Sequence, residues 1–297
     1  MEKALESTAL AKSSFWRDVL ELSKPRITGL VLVSTWMGYL LAGGGRGGGY
    51  LALLLGATYL VSAGANTLNQ YIERYSDKLM PRTRNRPLPS GRISHGFALV
   101  FGVVTGVVGT ALLYTAINPV SGLLGGLVLV TYVGMYTPLK RVTTFNTVVG
   151  AVPGAIPAML GWTGATGQFG HEAGILFLIM FVWQHPHTLA VAWMYRNDYK
   201  LANLRMLTVD DTDAMRTRRQ LVLYSPLLVA VCLLPTVIGM AGRFYFYGSL
   251  FSGVLFLWVV WGMVKNPSDL WAKRLLKTTV FHLPLLFLLM FLDKGPV

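Results

Sequence analysis

Asn69, Glu73 and Asp77 stand four residues apart in the stretch NTLNQYIERYSDKLMPRTRNRPLPSGR, Asn66 to Arg92. On a helix that spacing stacks three oxygen-bearing side chains on one face, about 6 Å from one to the next along the axis. Arg82, Arg84, Arg86 and Arg92 follow, broken by Pro81, Pro87 and Pro89. Amide and carboxylate oxygens suit a hard divalent cation such as Mg2+, which keeps several waters and shares its shell with substrate phosphates. Guanidinium groups suit phosphate oxygens. Asn69, Glu73 and Asp77 are therefore candidate catalytic residues and metal ligands, with Asn66, Arg82 and Arg86 as candidate diphosphate ligands. The bland alternative is a set of charges merely solvated in a loop. Two facts count against it. Asn66 and Asn69 fall inside or at the edge of an apolar helix, where polar groups are costly, and the acids precede a dense, proline-punctuated arginine cluster.

A second polar constellation is Tyr195-Arg196-Asn197-Asp198-Tyr199-Lys200. Asp198 supplies a further carboxylate and candidate metal ligand, with Tyr195, Tyr199 and Lys200 as candidate substrate ligands beside it. An ordinary helix end reads the same way. What favours function is its place on the same membrane side as the first motif. Two facing polar helix ends can share one or two metal ions and grip a diphosphate between them. Lys140 and Arg141 are candidate diphosphate ligands from a short loop on that side, or plain topology signals. His185 and His187 lie in FVWQHPHTLAVAW. They are either buried, satisfied histidines or contacts to a substrate, His187 being the stronger candidate.

The elements that must position these groups are membrane helices. The chain has 297 residues, 53% hydrophobic and 13% charged, with mean hydropathy +0.52. A soluble domain carries about 25% charge. Nine apolar runs approach the ~20 residues that span a bilayer. They cover about 27–42, 50–71, 93–116, 121–136, 145–162, 173–195, 221–240, 245–264 and 276–292. This predicts an all-α integral membrane protein with about nine transmembrane helices and polar cap loops on one side. Residues 1–24 form a polar N-terminal segment, a surface helix or a frayed tail, ahead of one polytopic domain over 25–297. GGGRGGG, Gly43 to Gly49, reads as a turn or flexible loop. Thr137-Pro138 reads as a helix stop. Pro153 and Pro157 inside the fifth run imply a kinked helix near a cavity.

Of the 26 lysines and arginines, only Arg46, Arg243 and Lys294 fall on the side opposite the motifs. That bias places the N-terminus and both large polar loops in the cytoplasm. The net charge of +13 therefore reflects topology, and no nucleic-acid partner is expected. Cys232, the single cysteine, lies inside an apolar run and reads as a packed thiol. No apolar signal core precedes Lys24, and Glu2, Glu6, Asp18 and Glu21 argue against an organelle transit peptide. A bacterial plasma membrane, with the N-terminus inside, is the expected address.

These residues resemble the UbiA superfamily of intramembrane prenyltransferases. Asn69 to Ser94 matches that family's N-x3-[DE]-x3-D-x2-M-x-R-T-x2-R-P-L-x2-G-x-[IL]-S signature. KPRIT (Lys24 to Thr28), YTPLKRVTTFNTVVGAVPGAIPAMLGW (Tyr136 to Trp162), WQHPH and RNDYKLANLRML resemble its heme-directed branch. The likeness is good from Lys24 to Leu207 and architectural over the last three spans. Two departures stand out. Glu73 replaces the superfamily's usual aspartate, and Tyr195 and Tyr199 replace a pair of aspartates around Asp198, leaving a second metal site in doubt.

The resemblance implies nine helices around a central cavity and Mg2+-assisted ionisation of farnesyl diphosphate. The 2-vinyl group of heme B would attack the allylic cation, and water would complete a hydroxyethylfarnesyl group. Heme would then be a substrate, and a downstream heme-modifying enzyme or terminal oxidase assembly a further partner. The alternatives are prenylation of an aromatic quinone precursor, or a non-enzymatic membrane protein that handles heme or transports a solute. A transporter more often shows internal repeats or midplane charges, and neither is evident. A pure heme binder would not need the acid-arginine array.

Overall fold

The structure, a computed structural model, describes residues 15–211 and 213–295. Lys3 and Lys12, counted above toward the inside charge, lie outside the described residues, as does most of the 1–24 segment. All the long elements are helices: α1 Pro25–Leu41, α2 Gly47–Leu79, α3 His95–Ile117, α4 Pro119–Leu139, α5 Asn146–Thr166, α6 His171–Met194, the short α7 Arg196–Leu201, then α8 Met215–Val237, α9 Arg243–Lys265 and α10 Asp269–Leu292. Eight of them are long and apolar enough to cross a membrane. α1, with 17 residues, sits at the short end of the spanning range. Among the described residues this makes a multi-pass bundle of nine long helices.

The hydropathy pattern and the helices part company at α2. Its 33 residues span about 50 Å at 1.5 Å per residue, against roughly 30 Å of hydrocarbon. The helix therefore continues well past the apolar run that ends near Tyr71 and holds the Asn69-Glu73-Asp77 face in the same rigid piece. At its other end Gly47, Gly48 and Gly49 are helical, so only the first part of the glycine run is a turn. α4 ends at Leu139, one residue past Thr137-Pro138 and before Lys140 and Arg141, with Pro138 inside its last turn. Proline is tolerated there because Val130–Tyr136 is wound as a π-helix, which moves the hydrogen-bond pattern off the usual i−4 partner. Pro153 and Pro157 both lie inside α5.

Without a hydrophobic drive between helices in lipid, small residues set the closest approaches. α1 lies against α5, where a Cβ on Gly38 or on Gly161 would run into the other helix's backbone at Ala158 and Thr35. α2 lies against α3, where a Cβ on Gly64 would stand 2.7 Å from the Gly102 carbonyl oxygen. The last three helices are tied by buried polar contacts. Tyr245 donates to the Cys232 carbonyl at 2.6 Å, and Ser252 Oγ meets His282 Nδ1 at 2.6 Å. Cys232 is a free, buried thiol packed in the core.

Residues 15–22 are helical and are no frayed tail. Leu22 is fully buried with Leu88, Ile93 and Ala98, and Arg92 pairs with Asp18 at 2.9 Å and Glu21 at 3.2 Å. The Leu22 and Ser23 carbonyls accept from Gln70 (2.7 Å) and Asn66 (3.3 Å) on α2.

Candidate functional site

The polar face of α2 is buried. Asn66, Asn69, Glu73 and Asp77 are each less than a tenth exposed. Charges in such surroundings require partners, and Asn69, Glu73 and Asp77 each meet a cation of their own. Lys24 Nζ donates to Asn69 Oδ1 at 2.7 Å. Lys140 Nζ donates to Glu73 Oε1 at 2.8 Å. Arg86 Nη1 donates to Asp77 Oδ2 at 2.8 Å. Three cations from three separate parts of the chain thus converge on one helix face. Asn69 Nδ2 also donates to Thr137 Oγ1 at 3.1 Å, which fixes which end of the amide faces Lys24.

Local backbone geometry makes this convergence possible. Lys24 has φ 49°, in the left-handed region that a residue with a Cβ adopts at a cost. The bend ends one segment and starts α1 at Pro25, aiming the lysine side chain inward. After Met80 the chain turns through the proline-rich segment, where the Thr83 hydroxyl donates to the Asp77 carbonyl at 2.8 Å and brings Arg86 back over Asp77. The two lysines respond oppositely to the shared field. Burial, aided by Arg86 and Lys140, pushes Lys24 down to about 7 against the pull of Glu73 and Asp77. Burial alone would lower Lys140 too, but Glu73, with Tyr136 and Tyr132, holds it above the usual lysine range.

The second constellation docks onto the first through one arginine. Arg82 Nε lies 3.5 Å from Asp198 Oδ2. Its guanidinium sits over the rings of Tyr195 (4.8 Å) and Tyr199 (5.0 Å), a cation-π arrangement. Tyr195, Asp198 and Tyr199 are thereby brought to the array. Lys200 is not; it lines a separate polar cavity with Arg196, Asp211 and Arg218. Arg141 is turned to the side of α2, donating to Ser76 Oγ at 3.0 Å and the Ile72 carbonyl at 3.3 Å.

Beneath the array lies a cavity of about 240 Å3. Asn66, Ser62, Tyr132 and Tyr136 line its upper wall, and Val31, Val61, Val128, Ile156, Pro157 and Leu160 are among the residues lining it. Both proline positions of α5 face it, as their placement in the sequence implied. His185 and His187 line no part of it. His187 Nδ1 meets Thr279 Oγ1 on α10 at 2.9 Å, and its ring stacks on Trp183. His185 Nδ1 meets the Phe181 carbonyl at 2.9 Å, and its ring stacks on Tyr224 of α8 at 3.8 Å.

Among the described residues no group of three or more His, Cys, Asp or Glu side chains could by itself hold a metal ion. The donor set here is two carboxylates and an amide on α2, with Asp198 across Arg82. All are oxygens, which is what Mg2+ takes. One of them is open: Asp77 Oδ1 is buried and has no partner, an unusual state for a carboxylate oxygen. The residues present fit a hard cation at Asp77 and its neighbours.

Lys24, Thr137 and Tyr136 were not identified as site residues from the sequence. The signal for Lys24 was present, as a lysine held next to a helix-starting proline in KPRIT.

The UbiA prenyltransferase family model matches residues 31–287. A protoheme IX farnesyltransferase of Solibacter usitatus is 41% identical over 94% of this chain and 99% of its own. A protoheme IX farnesyltransferase of Myxococcus xanthus is 39% identical over 94% and 95%. Among solved structures, a digeranylgeranylglyceryl phosphate synthase superposes with TM-score 0.78 at 17% identity, over 94% of this chain and 98% of that one. A UbiA homolog from Archaeoglobus fulgidus bound to GPP and Mg2+ superposes with TM-score 0.65 at 15% identity, over 92% and 99%. The bundle of α1 to α10 is thus a known fold, and the chain belongs to the UbiA prenyltransferase family.

Proposed function

We propose that this protein transfers a farnesyl group from farnesyl diphosphate to the 2-vinyl group of heme B, giving heme O and diphosphate. The observation that carries the chemistry is the buried Asn69-Glu73-Asp77 face, matched cation by cation, above an apolar cavity. The acceptor reading rests on relatives named protoheme IX farnesyltransferase, similar over almost their whole length.

Asn69, Glu73, Asp77 and Asp198 would hold Mg2+, which when bound supplies Lewis-acid stabilisation of negative charge on the diphosphate. Arg82, Arg86, Lys140 and Lys24 bind diphosphate oxygens and stabilise the charge that builds as the C1–O bond breaks. Preorganised cations in a dry site do this without reorganising. Arg82 also couples the halves of the site, because the tyrosine rings and Asp198 hold it from the α7 side. The largely apolar cavity keeps bulk water from the allylic cation until the vinyl carbon has attacked. Residues 1–24 are a cytoplasmic N-terminal segment, with Lys24 belonging to the site, and the bacterial plasma membrane is the proposed address. A reporter fused after Arg92 then reads cytoplasmic and one fused after Asn118 periplasmic.

The deciding assay uses the purified protein in liposomes with farnesyl diphosphate, heme B and Mg2+. The expected product is a more hydrophobic heme, heavier by one farnesyl and one hydroxyl, and EDTA suppresses it. Unchanged heme with 4-hydroxybenzoate or a naphthoate prenylated instead would transfer the activity to an aromatic acceptor.

A further inference from the structure

In WQHPH, Gln184 is the one residue of the motif that lines the cavity beneath the array. Its amide orientation is fixed by its neighbours. Nε2 donates to the Ala151 carbonyl at 3.0 Å and to the Met180 carbonyl at 3.3 Å. Both are acceptors only, so the nitrogen must face them, and both amide hydrogens are used. Oε1 is left over Gly154, where a Cβ would collide with it, and it has no protein donor among the described residues. An amide oxygen without a donor is costly in a membrane interior. Two further residues that line the same cavity, Pro153 and Thr188, carry oxygens. Pro157 has no N–H, so the Pro153 carbonyl lacks its ordinary helical donor. The Thr188 hydroxyl, one turn along the same face of α6, has no hydrogen-bond partner among the described residues, and Thr188 also lines the cavity. Gln184, Pro153 and Thr188 thus line one largely apolar chamber, and two acceptor oxygens with a hydroxyl that can donate are a set that one ordered water satisfies.

The reaction proposed above requires one water, and only after carbon–carbon bond formation. The terminal vinyl carbon uses its π electrons to bond to farnesyl C1, and diphosphate leaves with the electrons of the C1–O bond. Positive charge is then on the vinyl carbon attached to the porphyrin. Water oxygen bonds to that carbon, and the water's proton passes to the diphosphate co-product. Lost instead from the neighbouring CH2, the proton leaves an alkene one water lighter. We propose that Gln184 Oε1, with the Pro153 carbonyl and the Thr188 hydroxyl, holds the water that captures this second cation. Gln184 is thus a water-positioning residue that decides between hydroxylated and dehydrated product. The cavity it lines reaches toward the array, since Asn66 also lines it and lies about 4.5 Å along α2 from Asn69 at 1.5 Å per residue.

This rests on the farnesyl-to-heme reading, and product analysis separates the two. Wild-type protein and Gln184→Leu in liposomes are given farnesyl diphosphate, heme B and Mg2+ in H2 18O, and the hemes are resolved by mass. Gln184→Leu is expected to release diphosphate within about threefold of wild type while the ratio of 18O-hydroxylated to dehydrated farnesyl heme falls at least tenfold. Gln184→Glu, which keeps an acceptor oxygen, restores the ratio. Gly154→Ala, which displaces Oε1 and leaves Gln184 in place, lowers it. An unchanged ratio in Gln184→Leu, or an equal fall in both products, overturns the proposal. If Gln184→Leu does not fold, Gly154→Ala is judged by the same two criteria. Wild type that leaves heme unfarnesylated overturns the parent reading instead.

Discussion

Two membrane helices carry polar clusters, and they spend them differently. On α2, Asn69, Glu73 and Asp77 recur every fourth residue, so all three face one way and meet Lys24, Lys140 and Arg86. On α6, Gln184, His185, His187 and Thr188 are crowded into one turn and a half, so they diverge. Gln184 and Thr188 face the cavity, His185 faces α8, and His187 faces α10. A regular four-residue spacing builds one charged surface. A dense cluster builds three separate contacts, two of them interhelical ties. Polar residues inside a membrane helix therefore do not share a role by being neighbours in sequence.

Substitutions that empty the α2 face should cost most. Asp77→Ala removes the oxygen that is open and the partner of Arg86, and turnover falls about 10³-fold, on the scale of losing a preorganised charge-stabilising group. Protein still extractable and folded, with near wild-type diphosphate release, would break the assignment of α2 as the site. Arg86→Lys keeps the charge and loses the guanidinium fork. The loss of a charged hydrogen bond, about 1.5–3 kcal/mol, lowers kcat/KM for farnesyl diphosphate roughly 10- to 100-fold. Arg82→Ala disconnects α7 from α2, and the KM for farnesyl diphosphate rises about tenfold, matching one lost charged contact. Equal KM values would mean that Asp198 is placed by α7 alone.

The α6 histidine gives the smallest effect on prenyl-donor chemistry. His187→Ala loses the bond to Thr279 and the stack on Trp183, and thermal unfolding in detergent shows a loss of about 1 kcal/mol. Diphosphate release stays within about threefold of wild type, the change expected from a packing contact of that size. A far larger loss would place His187 with the reacting groups and erase the contrast between the helices.

Much of the site was legible before any coordinates. The period of Asn69, Glu73 and Asp77 needed only helical geometry, and Arg82 and Arg86 needed only their proximity in sequence. Lys140 and Arg141 looked equivalent, since both follow the same helix. Packing separated them: Lys140 turns onto Glu73, while Arg141 turns onto Ser76. Asp198 and Lys200 were likewise treated together, yet two residues on a helix point about 160° apart when each advances by 100°, and only Asp198 reaches Arg82.

The sequence by itself determined the class of fold and the long apolar helices, and it singled out Asn69, Glu73 and Asp77 as one helix face. Those follow from hydropathy and periodicity, which act over short stretches of chain. Tertiary structure alone decided which cation meets which oxygen, because Lys24 and Lys140 come from segments that no local rule relates to α2, and Arg86, though close in sequence, reaches Asp77 only through the fold of the proline-rich turn. It also decided that Gln184, rather than either histidine, faces the cavity. That choice depends on the rotation of α6 about its own axis, which is set by packing against α5, α8 and α10, and no periodicity within one helix records how its neighbours are arranged around it.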